Sequence, residues 1–178
     1  ILEMGRRALV VEMDTSKAID ADKLVKESVA AFGSIHGLVC GAIKLVPSKL
    51  EDLSEEAWDK IHNVGLKGYF LCAQAIGRHM LERGSGSIVL ISSVGGVQAY
   101  PLAGAYSIVK AGEIMLAKLI GVEWGSRGVR GSALADRDRR VSGAIEIAAR
   151  YGAGGLSSRR RREAPGTRNA LSELSGQA

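Results

Sequence analysis

The chain has 178 residues, 46% of them hydrophobic and 24% charged, with a formal net charge of +5. That balance suits a globular chain with a sizeable core and excludes one that is disordered throughout. No apolar run reaches the length of a membrane span. Cys40 and Cys72 define neither a disulfide framework nor a metal spacing, and His36, His62 and His79 are scattered, so no metal site is expected.

In chain order, the apolar run Ala8–Met13 predicts a strand. Asp14 and Ser16 then suit a turn or cap before a helix over Ala18–Phe32, which Gly33 ends because it tolerates positive φ. Gly37–Val39 predicts a second strand. Ser54 is placed to cap a long helix, Glu55–Glu82, with Glu55 and Glu56 in its first turn. Gly65 and Gly68 lie inside that helix and weaken it by about 1 kcal/mol each relative to Ala. Ser87–Ser92 predicts a third strand, and Tyr106–Gly125 a helix apolar nearly all round, which needs burial on several sides. Gly84-Ser85-Gly86 and Gly95-Gly96 read as turns. The alternation predicts one α/β domain with a parallel sheet and no internal repeat.

Three residues carry the chemistry. Ser93 follows the strand Ser87–Ser92, Tyr106 lies thirteen residues later, and Lys110 four beyond that. Positions i and i+4 share a helix face, so Tyr106 and Lys110 point into one space. A strand-end hydroxyl, a phenol and an ammonium then converge at the C-terminal edge of a parallel sheet, where open α/β folds bind ligands. A phenol titrates near about 10, too high for a general base at neutral pH. A neighbouring ammonium favours the phenolate. The phenol can then exchange a proton with a hydroxyl or carbonyl held by the serine. These groups supply no hydride, so redox chemistry needs a cofactor.

From Gly5 to about Arg130 the chain resembles the short-chain dehydrogenase/reductase family, with matches in the family's order. Gly5–Asp14 resembles its third strand and the aspartate that closes it. Ala31–Val39 resembles a helix end and the fourth strand. Ala57–Lys60 and Leu66–Phe70 resemble the following long helix, Gly86–Ser93 the fifth strand, Ala105–Ala111 the catalytic helix, and Val122–Arg130 the lead into the sixth strand. The ordered set covers roughly two-thirds of the chain.

The resemblance implies hydride transfer between NAD or NADP and an alcohol/ketone pair, in a Rossmann-like fold. Tyr106 would be the general acid/base. Lys110 would lower the pKa of Tyr106 and hold the nicotinamide ribose, and Ser93, rather than Ser92, would position the substrate oxygen. Asp14 would contact the adenine with Thr15 beside it, and Cys40 and Ala42 complete the implied cofactor-binding set with Tyr106 and Lys110. The two long helices often form a subunit interface in this family, which implies a homodimer or homotetramer. Val97, Gln98, Ala99 and Tyr100, between Ser93 and Tyr106, are placed to line a substrate pocket but name no substrate class. The cytosol is the simplest location for its thiols.

Three departures stand out. The glycine-rich phosphate loop, which the family places after its first strand, is not found. The chain therefore reads as a fragment: an incomplete doubly wound parallel sheet lacking the first two strands, with little or no activity alone. Second, Cys40-Gly41-Ala42-Ile43 stands where the family has Asn-Asn-Ala-Gly, and Gly65 where it has a catalytic-site asparagine. A glycine offers no side chain to a proton relay from Lys110. Third, the resemblance fades after Arg130, and no Pro-Gly follows.

Residues 1–130 hold 15 Lys+Arg and 14 Asp+Glu, whereas residues 131–178 hold 9 Arg, no Lys and 5 Asp+Glu. The chain thus divides into a partial Rossmann-like domain, 1–130, and a divergent Arg-rich tail, 131–178, expected to pack poorly. The abrupt change at Gly131 would also follow from a shifted reading frame. Two alternatives accompany the enzyme reading. One is an inert relative that binds or dimerises without turnover. The other is a basic nucleic-acid-associated protein acting through Arg159–Arg162, which interleaved aromatics do not support.

Overall fold

The computed structural model describes residues 2–135 and 145–148. The elements run α1 (Ala18–Phe32), β1 (Gly37–Cys40), α2 (Glu55–His62), α3 (Gly68–Arg83), β2 (Gly86–Ile91), α4 (Gly104–Trp124), β3 (Val129–Ala135) and β4 (Ile145–Ala148). The strands lie in that order in one sheet. β1, β2 and β3 are parallel, with Gly37 opposite Ser87 and Gly86 opposite Val129. β4 pairs antiparallel with β3, Ser132 opposite Ala148. The expected α/β architecture with a parallel sheet is present.

Side-chain alternation gives the sheet two faces. Leu38 and Cys40 on β1, Ile88 and Leu90 on β2, and Ala133 on β3 share the face that α3 and α4 cover. Ile88 and Leu90 are fully enclosed there with Tyr69, Met80, Val129 and Ile120, while α1 packs on α3. Close approach demands glycine at Gly131. A Cβ added there would lie 2.5 Å from the Ala117 carbonyl oxygen on α4.

The Ala18–Phe32 helix has the expected bounds, and Gly33 ends it at φ 84°. Ser54 caps α2, its hydroxyl accepting from the Ala57 N–H at 3.2 Å. Two expectations are corrected. Ala8–Met13 is not a strand. Among the described residues no neighbouring segment forms a ladder with it, so its backbone gains no sheet hydrogen bonds there, and Val10 is 92% exposed. This stretch is tethered instead by Arg7, whose guanidinium lies over the Phe32 ring at 4.9 Å. Secondly, the single long helix is broken: a π-helical turn, Asn63–Lys67, separates α2 from α3. Gly65 is buried in that turn, against α4, and a Cβ there would meet Val109 Cγ1 at 2.5 Å. The wider turn lets the backbone pass α4 where a side chain would collide.

The tail from Gly131 enters the described structure as the rest of β3 and as β4. Its remainder, including Arg159–Arg162, lies outside the described residues. No helix among the described residues is long and apolar enough to cross a membrane.

Candidate active site

β2 ends at Ile91, and the next two serines separate by the alternation of extended chain. Ser92 turns inward: it is 8% exposed and its hydroxyl donates to the Lys110 carbonyl at 2.7 Å. Ser93 is half-buried, and its Oγ accepts from the Gly95 N–H at 3.0 Å. The turn at Val94–Gly96 then lays backbone directly on α4. A Cβ at Gly96 would fall 2.7 Å from the Lys110 carbonyl carbon.

Gly95 sits between the serine and the tyrosine. Its missing Cβ marks a point 3.3 Å from Tyr106 Cε1 and 3.5 Å from Ser93 Oγ. Ser107 Oγ lies 3.4 Å from the same point, is buried, and has no hydrogen-bond partner among the described residues. Ser93 Oγ, Ser107 Oγ and the edge of the Tyr106 ring therefore converge on Gly95. Lys110 lies one turn along α4, with Nζ 5.6 Å from the centre of the Tyr106 ring.

Lys110 is 3% exposed. Its Nζ donates to the Ile91 carbonyl at 2.8 Å and to Glu113 Oε1 and Oε2 at 3.1 and 3.0 Å. Glu113 is wholly buried, and burial pushes its carboxyl up to about 7 against the opposing pull of Lys110. Tyr69 closes the other side. Its ring lies 5.3 Å from the same ammonium and its hydroxyl donates to the Ile91 carbonyl at 3.2 Å. Burial, then the Glu113 charge, drive the Tyr69 phenol strongly upward, so it stays neutral.

Sequence reasoning missed Glu113 and Tyr69. The signal for Glu113 was present: a carboxylate three residues after Lys110 in a nearly all-apolar helix must find a cation or lose its charge. Tyr69 carried no comparable signal, because its position depends on how α3 packs.

The residues expected to bind cofactor are spread out. Asp14 is exposed, and its Oδ1 accepts from the Ser16 N–H and hydroxyl at 3.0 and 2.7 Å. Those bonds hold its carboxyl below the usual range. Asp14 lines an open recess with Ser16, Glu56, Asp59, Lys60 and Asn63. Thr15 packs on the start of α3, where a Cβ at Gly68 would fall 3.0 Å from its Oγ1. Cys40 is 7% exposed in the core, its thiol pushed up to about 12 by burial, and Ala42 packs against the same core. Among the described residues no hydrogen bond joins Asp14 or Thr15 to the Ser93–Tyr106–Lys110 cluster, and no three His, Cys, Asp or Glu gather as a metal site.

The short chain dehydrogenase family model matches residues 1–135. A 3-oxoacyl-[acyl-carrier-protein] reductase of Synechocystis is 34% identical over 76% of this chain and 55% of its own length. A (2S)-[(R)-hydroxy(phenyl)methyl]succinyl-CoA dehydrogenase subunit of Thauera aromatica is 38% identical over 70% of this chain and 50% of its own. Among solved structures, a 3-ketoacyl-ACP reductase from Sinorhizobium meliloti superposes with a TM-score of 0.72 at 28% identity, covering 75% of this chain and 54% of that one. A gluconate 5-dehydrogenase from Burkholderia cenocepacia, in complex with NADP and tartrate, gives 0.67 at 31% identity, covering 69% and 48%. The chain spans about half the length of the curated relatives it matches.

Proposed function

Because the chain belongs to the short-chain dehydrogenase family, we propose that it is part of an oxidoreductase moving a hydride between NAD or NADP and an alcohol/ketone pair. The observation that carries the reading is the convergence of Ser93 Oγ and the Tyr106 ring on Gly95, just past the end of β2. Ser93 holds the substrate oxygen there, and the Tyr106 phenol exchanges the proton with it. The Lys110 ammonium lies 5.6 Å from the centre of that ring.

The residues fit a nicotinamide cofactor on the substrate side. The buried Ser107 hydroxyl, without a hydrogen-bond partner among the described residues, is a polar group beside Tyr106 that a ligand would satisfy. Tyr106 would hold its ribose, Lys110 joining it only by giving up one of its protein acceptors, and Asp14, with Thr15, its adenine; Cys40 and Ala42 are packed against the core. When bound, the cofactor supplies or accepts the hydride. Similar proteins include an NAD-dependent glycerol dehydrogenase and NADP-dependent mannitol dehydrogenases, which supports either cofactor.

The outer faces of α3 and α4 expose Phe70, Met115, Leu119 and Val122 beside a groove lined by Leu116 and Trp124. A homodimer or homotetramer through these helices covers that surface. Sedimentation should give a multiple of the chain mass, and a monomer at all concentrations would oppose it. The free thiols Cys40 and Cys72 suit a reducing cytoplasm.

Titration with NADH and NADPH, read by nicotinamide fluorescence, tests the reading. Saturable binding supports it. Turnover of an alcohol or ketone should then fall by about 10²–10⁴-fold in Tyr106→Phe. Binding without turnover would favour the second reading, an inert relative. Gly65 and the Lys110 ammonium, whose bonds all go to protein acceptors, speak for that alternative.

A further inference from the structure

The Lys110 ammonium has three N–H donors, and three acceptors meet it: the Ile91 carbonyl and both oxygens of Glu113. The ion pair is enclosed, with side-chain exposures of 3% and 0%. Such a pair is weakly screened, so each partner strongly conditions the field of the other. The Tyr106 ring and the Glu113 carboxylate therefore compete for one cation, Tyr106 by proximity and Glu113 by direct bonds.

We propose that Glu113 is a positioning residue of this site, whose carboxylate holds Lys110 by both oxygens and sets how much of its charge reaches the Tyr106 phenol. The proposal rests on the reading of Tyr106 as the proton-exchanging group. Gly65 makes the arrangement possible. Glu113 Oε1 lies 3.7 Å from where a Gly65 Cβ would be, and that Cβ would already collide with Val109. The absent side chain and the buried carboxylate are thus two halves of one packing solution. An asparagine at position 65 would disturb the α4 surface that supports Glu113.

The titratable groups facing Glu113 come from three elements. Lys110 belongs to its own helix, Tyr69 to α3, and Cys40 to the end of β1. Tyr69 and Cys40 are held neutral by burial, so Lys110 is the one counter-charge among them. Glu113 itself sits near 7, so its charge changes within the working range of such a site. When it takes up a proton, the attraction on Lys110 falls and the ammonium acts on Tyr106 without a counter-charge.

The test needs neither cofactor nor turnover, so it fails or succeeds separately from the enzyme reading. Phenolate absorbance is followed against pH, and the Tyr106 contribution is taken as the difference from Tyr106→Phe. In Glu113→Gln the Tyr106 transition should move to lower pH, because Lys110 then faces that ring without its counter-charge. A transition unmoved in a folded variant would overturn the proposal. If Glu113→Gln does not fold, carbon-13 tyrosine resonances of the unmutated chain give the same answer. The Tyr106 signal, assigned with Tyr106→Phe, should step as Glu113 titrates, and a flat trace through that range would overturn it.

Discussion

The two faces of the parallel strands live in different surroundings. On one, Ile88 and Leu90 are 0% exposed beneath α3 and α4; on the other, Val39 is 67% exposed and Ile91 37%. Both faces are apolar, as expected of strands in a sheet covered on both sides. Among the described residues only one is covered. The comparison teaches that stability and site geometry both draw on the helix side. Ser92, Lys110 and Glu113 are anchored there, and the open side contributes exposed hydrocarbon.

Cutting into the covered face should give the largest effect. Leu90→Ala removes a fully enclosed side chain and should cost about 2–5 kcal/mol, read from urea unfolding. A loss under about 1 kcal/mol would mean the two faces are not so different.

The next effect comes from pH. Burial raises Glu113 from 4.5 to about 7, so the folded state favours its neutral form. For an acid with a raised folded pKa, the contribution is full below pH 4.5 and is lost as pH rises through about 7. At about 1.4 kcal/mol per pKa unit this group should account for a loss on the order of 3 kcal/mol. Glu113→Gln should flatten stability over that window, whatever it does to the absolute value. Urea midpoints in buffers spanning it check this, and an unchanged slope would count against Glu113 as its source.

Much of this was legible in the residues. Tyr106 and Lys110 lie within one helix, and their four-residue spacing fixes a shared face before any tertiary contact forms. The Ala18–Phe32 helix carries its own stop in Gly33. Ala8–Met13 looked equally clear as a strand, yet a strand exists only with a ladder partner, which lies outside its own text. The break at Asn63–Lys67 was hidden for a related reason: it arises from contact between Gly65 and Val109 across two helices. The Lys110–Glu113 pair was written in the sequence but masked by the apolar residues around it.

A smaller effect tests the close seam between sheet and helix. Gly131→Ala places a methyl 2.5 Å from the Ala117 carbonyl oxygen, which is backbone and cannot swing aside. The cost should be about 1–3 kcal/mol, again by urea unfolding, with the helix content by circular dichroism retained. A neutral result would show that α4 is loosely seated on β3, and the positions of Lys110 and Glu113 would lose their fixed reference.

The open face should answer most weakly to stability measurements and most clearly to association. Val39→Lys changes a 67%-exposed residue of β1, which among the described residues pairs with one strand, β2. Its effect on unfolding should stay within about 0.5 kcal/mol, because little burial is lost. A charge there should nevertheless oppose pairing at the apolar edge and reduce concentration-dependent association, read by sedimentation. If Val39→Lys instead destabilised the chain as much as Leu90→Ala, Val39 would have to be buried in solution. The contrast between the faces would then belong to the isolated chain and not to the form it takes with a second copy.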